Sequence, residues 1–227
     1  QGRLMGKRFH AGFFLDGGHK ETHCCNYLLA LDMEMNTVPG YRSAGWEQGY
    51  GDYVMRPDLS TLRRLPWLPG TAMVICDLMD HHTHDEVAVS PRAILKRQIA
   101  RARDMGFDAM MATELEFFLI DDSGKHLQVP PSPRSGKRRT GGEVLSLRAL
   151  DAFDQFFTTL YDACEAMDIP ADTAISEAGP GQFEINLMHQ PDPMKAADDT
   201  WLFKMLVKGI ARTYGFAASF MAKPYEM

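Results

Sequence analysis

Apolar and polar residues recur along this chain with two periods, and each period predicts an element. Residues 113–120 read Thr-Glu-Leu-Glu-Phe-Phe-Leu-Ile, a short apolar run ended by the turn signal Asp-Asp-Ser-Gly at 121–124. This pattern predicts a buried strand. Side chains alternate across a strand, so Glu114 and Glu116 share a face, roughly 6.5–7 Å apart. Residues 172–177 and 182–187 predict two more strands around the Ala-Gly-Pro-Gly turn at 178–181. In the second of them Gln182, Glu184 and Asn186 share one face, and Phe183, Ile185 and Leu187 the other. A final strand is expected at 216–221.

The helical period appears three times. Ser90-Pro91 opens a helix as N-cap and first helical position, and Gly106 stops it after Met105. Leu150, Phe153, Phe157, Leu160, Cys164 and Met167 recur at steps of three and four and mark one buried helix face. A last helix is expected over 194–214, started by Asp192-Pro193 and closed by Gly215.

The first 89 residues carry β and turn signals instead. A basic strand or hairpin is expected at 2–8 and a buried strand at 27–31. A Gly- and Pro-punctuated loop follows over 37–51, then a short strand at 53–55 ended by Pro57-Asp58, and another at 71–77. His81, His82 and His84 fall in a polar loop, with adventitious metal binding as the alternative to a plain surface turn. Residues 128–142, rich in Pro, Gly, Arg and Lys, predict a mobile surface loop, with phosphate binding as the alternative. A domain boundary is expected just before the first helix, dividing the chain into 1–89 and 90–227.

Composition changes this picture mainly by exclusion. The 227 residues allow one or two domains, and a hydrophobic content of 45% is that of an ordinary globular protein. A formal net charge of −6 argues against a general nucleic-acid binder. No apolar run approaches the ~20 residues that span a membrane. Four cysteines (24, 25, 76 and 164) lack zinc-like spacing, and the adjacent pair is a poor disulfide candidate; free thiols in a reducing cytoplasm are expected.

The candidate chemistry lies in four carboxylates: Glu114, Glu116, Glu177 and Glu184. Singly, each reads as a glutamate on the wet face of an antiparallel sheet. Jointly they differ: each sits among apolar residues and none has a basic partner nearby in sequence. If their strands are neighbours, up to four negative charges meet in a partly dry cleft. Oxygen donors of that kind suit Mg²⁺ or Mn²⁺, and paired ions of this sort neutralise nucleotide phosphates.

These residues also carry a resemblance. The stretches GRLMGKR, AGWEQGYGDYVMRPDLSTLR, TAMVICDL, SPRAILKRQ, ATELEFFLID, ISEAGPGQFEINL and GFAASFMAKP, in that order, resemble the glutamine synthetase family. The resemblance implies an α+β fold: a small N-terminal β-grasp domain and a truncated catalytic domain whose sheet forms the active-site channel. It implies two divalent metals, Mg²⁺ or Mn²⁺, with Glu116, Glu177 and Glu184 on one and Glu114 on the other. It implies ATP as substrate and an amide formed on the side-chain carboxylate of glutamate through γ-glutamyl phosphate. Glu177 and Asp32 are the implied catalytic residues; Asp32 resembles a loop aspartate that reaches a neighbouring subunit's site, against the alternative of a strand-end turn aspartate. A homo-oligomeric ring is implied for the intact protein.

Departures narrow the substrate. Ile175-Ser176 precedes Glu177 where ammonia-using members often carry a histidine pair, and Leu145 falls near a common tyrosine of the amine pocket. The expectation is therefore a ligase for a polyamine or other primary amine, with ammonia as the alternative amine. A non-catalytic member of the family and a metal-binding β-rich module are the alternatives from other classes. In this family a Gly-rich His-x-His segment should follow FMAKP, so the chain is expected to be an inactive fragment of a protein about twice as long.

Overall fold

The structure is a computed structural model that describes residues 3–224. The chain divides into two compact units. One runs to Leu62 and from Val74 to Phe107; the other takes Arg63–Met73 and everything from Asp108 on.

The first unit holds a three-stranded sheet in the order β1-β2-β3, formed by β1 (His23–Cys25), β2 (Asp52–Arg64) and β3 (Ala72–Asp80). Helix α1 (Pro91–Asp104) follows, with the Ser90 hydroxyl accepting from the Ala93 amide and Pro91 at its start, as the sequence predicts. Charged side chains tie α1 to residues of both long strands. The Arg92 guanidinium donates to Asp77 Oδ1 at 2.9 Å and to Asp58 Oδ2 at 2.5 Å. The Lys96 ammonium donates to Asp77 Oδ2 at 2.7 Å and to Glu86 Oε1 at 2.5 Å. Arg92 and Lys96 are thus partners of a half-buried network.

Three expectations for this region are corrected. Residues 26–30 form a 3-10 helix (Asn26–Ala30), not a strand. A short apolar run does not distinguish the two, and here Val38 N–H donates to Ala30 O and a tight turn at Asp32 follows. Residues 3–8 are irregular, while Gly2 lies outside the described residues. Strand β2 does not end at Pro57 but runs thirteen residues through it. Proline is tolerated because β1 pairs only with residues 52–54, so the edge of β2 is unpaired on that side beyond Met55.

The second unit is a four-stranded antiparallel sheet in the order β5-β6-β4-β7. Its strands are β4 (Glu114–Ile120), β5 (Ala171–Ser176), β6 (Gln182–Leu187) and β7 (Ala217–Ser219). One face is apolar. Phe117 on β4 and Phe183 on β6 meet as cross-strand partners and pack with Phe153, Phe156 and Phe157. The expected amphipathic helix is broken into α2 (Leu147–Asp151) and α3 (Asp154–Ala166), with Phe153 between them. The apolar positions at 153, 157, 160, 164 and 167 are nonetheless all buried. Helix α4 (Pro193–Thr213) completes the layer, its start capped by the Asp192 carboxylate.

Residues 63–73, the tip of the β2–β3 hairpin, pack on this helical layer. Arg63 Nε donates to Met167 O at 2.7 Å, and a Cβ added to Gly209 would stand 2.4 Å from the Trp67 indole. Gly209→Ala must therefore push the indole out of its seat. Such overpacking costs about 1–3 kcal/mol, and chemical denaturation with Trp67 fluorescence should report both the lost stability and the more solvated indole.

Residues 128–142 are not a free loop. Val129 and Ser132 are buried. Arg138 donates to Val129 O and to Asp121 Oδ2, both at 2.6 Å. The Asp121 carboxyl is held down to about 2 by the Ser123 hydroxyl and amide, with Arg138 adding to them. The segment is irregular and mostly exposed, as a surface loop should be, but composition does not register that two of its arginines, 138 and 139, are paired within the fold.

Candidate active site

The sheet register decides where the four glutamates go. On β4 the carboxylates at 114 and 116 project from the face opposite Leu115 and Phe117. In the β4–β6 pairing Glu116 stands directly opposite Glu184, and Glu114 opposite Asn186. In the β5–β6 pairing Ile175 stands opposite Glu184, which sets Glu177, two residues on, to the same face. All four glutamates therefore gather on one face of three neighbouring strands. The aromatic core fills the other.

Glu184 is at the centre and is buried. Its carboxyl is pushed above the ordinary range, first by loss of hydration and then by the negative charges of Glu114, Glu177 and Glu116; a hydrogen bond from Asn186 works against the rise. Two neutral amides bond to the cluster. Gln182 Nε2 donates to Glu116 Oε2 at 2.6 Å, while its Oε1 accepts from Gly179 N–H at 2.8 Å. Asn186 Nδ2 donates to Glu184 Oε1 at 2.9 Å. The strand alternation had placed Gln182 and Asn186 on this face; their role as carboxylate partners could be found only from the pairing.

The donor set fits a hard divalent cation. It is all oxygen, it is anionic, and its most buried member is destabilised as a carboxylate by burial and then by its own neighbours, which a positive charge would offset. Among the described residues no three His, Cys, Asp or Glu side chains are gathered tightly enough to enclose an ion as they stand. That statement covers His81, His82 and His84 as well, which lie in the turn after β3.

Behind Glu177 the chain is stitched together closely. Ser176 is buried; its hydroxyl donates to Glu143 O at 2.6 Å and accepts from Ser146 N–H at 2.7 Å. The Leu145 amide donates to Ser176 O at 2.9 Å. A concavity lies between this segment and the Gly-Pro-Gly turn, with Arg139, Glu143, Glu177 and Gln182 on its wall. Arg139 is paired with Glu143. Sequence reading noted Ser176 only as a departure from a family pattern and gave no signal of these bonds, because they join residues about 30 positions apart.

Asp32 belongs to the first unit, and its carboxylate is engaged locally. Oδ1 accepts from the amides of Glu34 at 3.0 Å and Asn36 at 2.8 Å, and Oδ2 from the Asn36 side chain at 3.2 Å. The Asn36 amide is the main reason its carboxyl lies below the ordinary range. This is the geometry of a turn aspartate.

The family described as glutamine synthetase, catalytic domain, matches residues 88–227. The gamma-glutamylethanolamide synthetase GlnA4 of Streptomyces coelicolor is 37% identical over 228 residues, covering 100% of this chain and 49% of its own length. The gamma-glutamylputrescine synthetase PuuA of Escherichia coli is 40% identical over 141 residues, covering 61% of this chain and 30% of its own. The solved structure of a glutamine synthase homologue superposes with a TM-score of 0.77 at 20% identity, over 96% of this chain and 47% of that one, a likeness of fold. The chain spans about half the length of the ethanolamide synthetase. With more than half its residues matched, carboxylate-bearing sheet included, the chain belongs to the glutamine synthetase catalytic-domain family.

Proposed function

We propose that the whole protein to which this chain belongs is an ATP-dependent ligase that joins the γ-carboxylate of glutamate to a primary amine. The observation that carries this reading is the convergence of Glu114, Glu116, Glu177 and Glu184 on one sheet face, with Glu184 buried among the other three. Both curated relatives described above are named for amides of glutamate with primary amines, ethanolamine and putrescine.

The chemistry needs such a cluster. A carboxylate does not accept an amine directly, so its oxygen first attacks the γ-phosphorus of ATP and ADP leaves. The amine nitrogen then attacks the carbonyl carbon of γ-glutamyl phosphate, inorganic phosphate leaves, and a proton must depart from nitrogen. Two divalent cations, bound by Glu116, Glu177 and Glu184 and by Glu114, would supply the charge neutralisation that phosphoryl transfer between anions requires. Gln182 and Asn186 fix the rotamers of Glu116 and Glu184. Glu177 provides negative charge where an ammonium group docks and a proton acceptor as it reacts. Asp32 would assist the amine only from a neighbouring subunit of a homo-oligomeric ring and only by exchanging some of its turn hydrogen bonds. The four cysteines are free thiols, which suits a reducing cytoplasm. Among the described residues no helix is long and apolar enough to cross a membrane.

The test is phosphate release by the whole protein with ATP, Mg²⁺ and glutamate, with ethanolamine, putrescine or ammonium as the amine. Release that depends on glutamate and is fastest with a primary amine is the expected result. Faster turnover with ammonium than with either amine would replace the amine assignment, and no glutamate-dependent release would overturn the reading.

A further inference from the structure

We infer that His23 and His81, together with Glu21, form a binding site for a borderline divalent cation of the Zn²⁺, Ni²⁺ or Cu²⁺ kind. The site is separate from the carboxylate cluster of the second unit and does not depend on the ligase reading.

All three residues belong to the first unit. His23 opens β1 and His81 follows β3, and these two strands flank β2 without pairing with each other. Their rings nevertheless meet edge to face, with centroids 5.2 Å apart, and the His82 ring packs on His81 at the same spacing. Glu21 Oε1 stands 3.2 Å from His23 Nε2. That nitrogen is the observation that asks for a ligand. It is shielded from water and has no hydrogen-bond partner, since the carboxylate lies within reach but off the line of a hydrogen bond. A buried polar atom left unbonded is costly to a fold. A cation on the lone pair of His23 Nε2 would satisfy it and would offset the charge of Glu21.

The backbone under the rings is set. His23 is held in the β1–β2 ladder opposite Val54. The turn that carries His81 is closed by His84 N–H donating to Asp80 O at 3.0 Å. Asp80 Oδ1 also accepts from the His82 and Thr83 amides, both at 2.9 Å. The side chain of His81 is exposed on this fixed turn, so its ring can rotate without moving the chain. Three donors do not converge on one point as the rings stand. Rotation of the His81 ring, already in contact with His23, is the adjustment a cation requires. Two imidazoles and a carboxylate are a donor set for Zn²⁺, Ni²⁺ or Cu²⁺, whereas Mg²⁺ prefers oxygen alone. A cation held this way ties the three-residue strand β1 to the turn after β3, across β2.

The test is titration of the whole protein with ZnCl₂ in excess Mg²⁺, with Cu²⁺ electron paramagnetic resonance as the second readout. His23→Gln and His81→Gln should each weaken one Zn²⁺-binding step at least about tenfold and each remove nitrogen couplings from the Cu²⁺ spectrum. Glu21→Gln should weaken the same step with the nitrogen couplings kept. Glu184→Gln should leave that step unchanged, because the carboxylate cluster offers only oxygen. Melting in chelator should show His81→Gln as stable as wild type, which keeps the loss of binding apart from a loss of fold. Zn²⁺ affinity and nitrogen couplings unchanged in His23→Gln would mean that the exposed turn alone picks up the metal and would overturn the inference. Affinity unchanged in His81→Gln would overturn it as well.

Discussion

Glu184→Gln should abolish the response of the protein to divalent cations while making the cation-free fold more stable. At neutral pH the wild-type carboxylate is buried and faces Glu114, Glu177 and Glu116, so its ionised form is disfavoured. The sign of the pH dependence follows. A carboxyl whose folded pKa is raised keeps its proton longer in the fold than in the unfolded chain. Stability therefore falls as pH rises from the unfolded carboxyl value, about 4.3, through the raised folded value, and the penalty is complete above it. The amide carries no charge, so the variant should melt higher than wild type at pH 7 in chelator and lose this part of the pH dependence. Added Mn²⁺ should do the opposite. At a hundredfold excess over Kd a cation that binds only the fold contributes about 2.7 kcal/mol, which wild type should gain and the variant should not. In the whole protein the same substitution should lower kcat by roughly a hundredfold or more, since loss of even an outer-shell partner of a metal ligand costs 10–100-fold. Thermal melts of both proteins in chelator and in Mn²⁺ decide the matter. Equal Mn²⁺ stabilisation of the two would remove Glu184 from the cation site.

Arg92→Ala should be the most damaging single change in the first unit. The guanidinium is only 13% exposed and bonds to both Asp58 and Asp77, the latter 11% exposed. Burial alone would raise the Asp77 carboxyl; the hydrogen bonds and charges of Lys96 and Arg92 outweigh it and bring it below the ordinary range. Asp58 is lowered too, again against burial, through Ser60 and Arg92. Removing the arginine leaves two carboxylates with reduced compensation, and breaking a buried pair in this way costs about 3–5 kcal/mol. Lys96 still reaches Asp77, which favours the lower end. The pH signature opposes that of Glu184. Folded pKa values below the unfolded one give stability that is present above about pH 4 and is lost as pH falls through the depressed values. Denaturant midpoints of wild type and variant should stand apart at pH 7 and converge only as pH falls below about 4, through the depressed values. A loss below about 1 kcal/mol at pH 7 would show that the pairs behave as exposed ones.

The sheet of the second unit was legible in residues alone. Alternation placed Glu114 and Glu116 on one face and Gln182, Glu184 and Asn186 on another single face, and β4 and β6 are where those patterns put them. Helices α1 and α4 were legible because Ser90-Pro91 and Asp192-Pro193 are local start signals that act within one turn. The first unit was read less well. A run such as Tyr-Leu-Leu-Ala-Leu satisfies a 3-10 turn as readily as a strand, and the continuation of β2 through Pro57 depends on β1 stopping short beside it. The segment 128–142 was read as loose because composition cannot register Asp121 waiting for Arg138, and the bond from Ser176 to Glu143 just beyond it leaves no local signal either.

The candidate carboxylates could be named from the chain alone, since residue type and a period of two are local properties. Whether Glu116 faces Glu184 across a strand pair, and whether Glu177 joins them, was decided only by tertiary structure. Strand order and register are set by how Phe117, Phe183 and the helices behind them pack, and a slip of one residue would turn every one of these carboxylates to the other face.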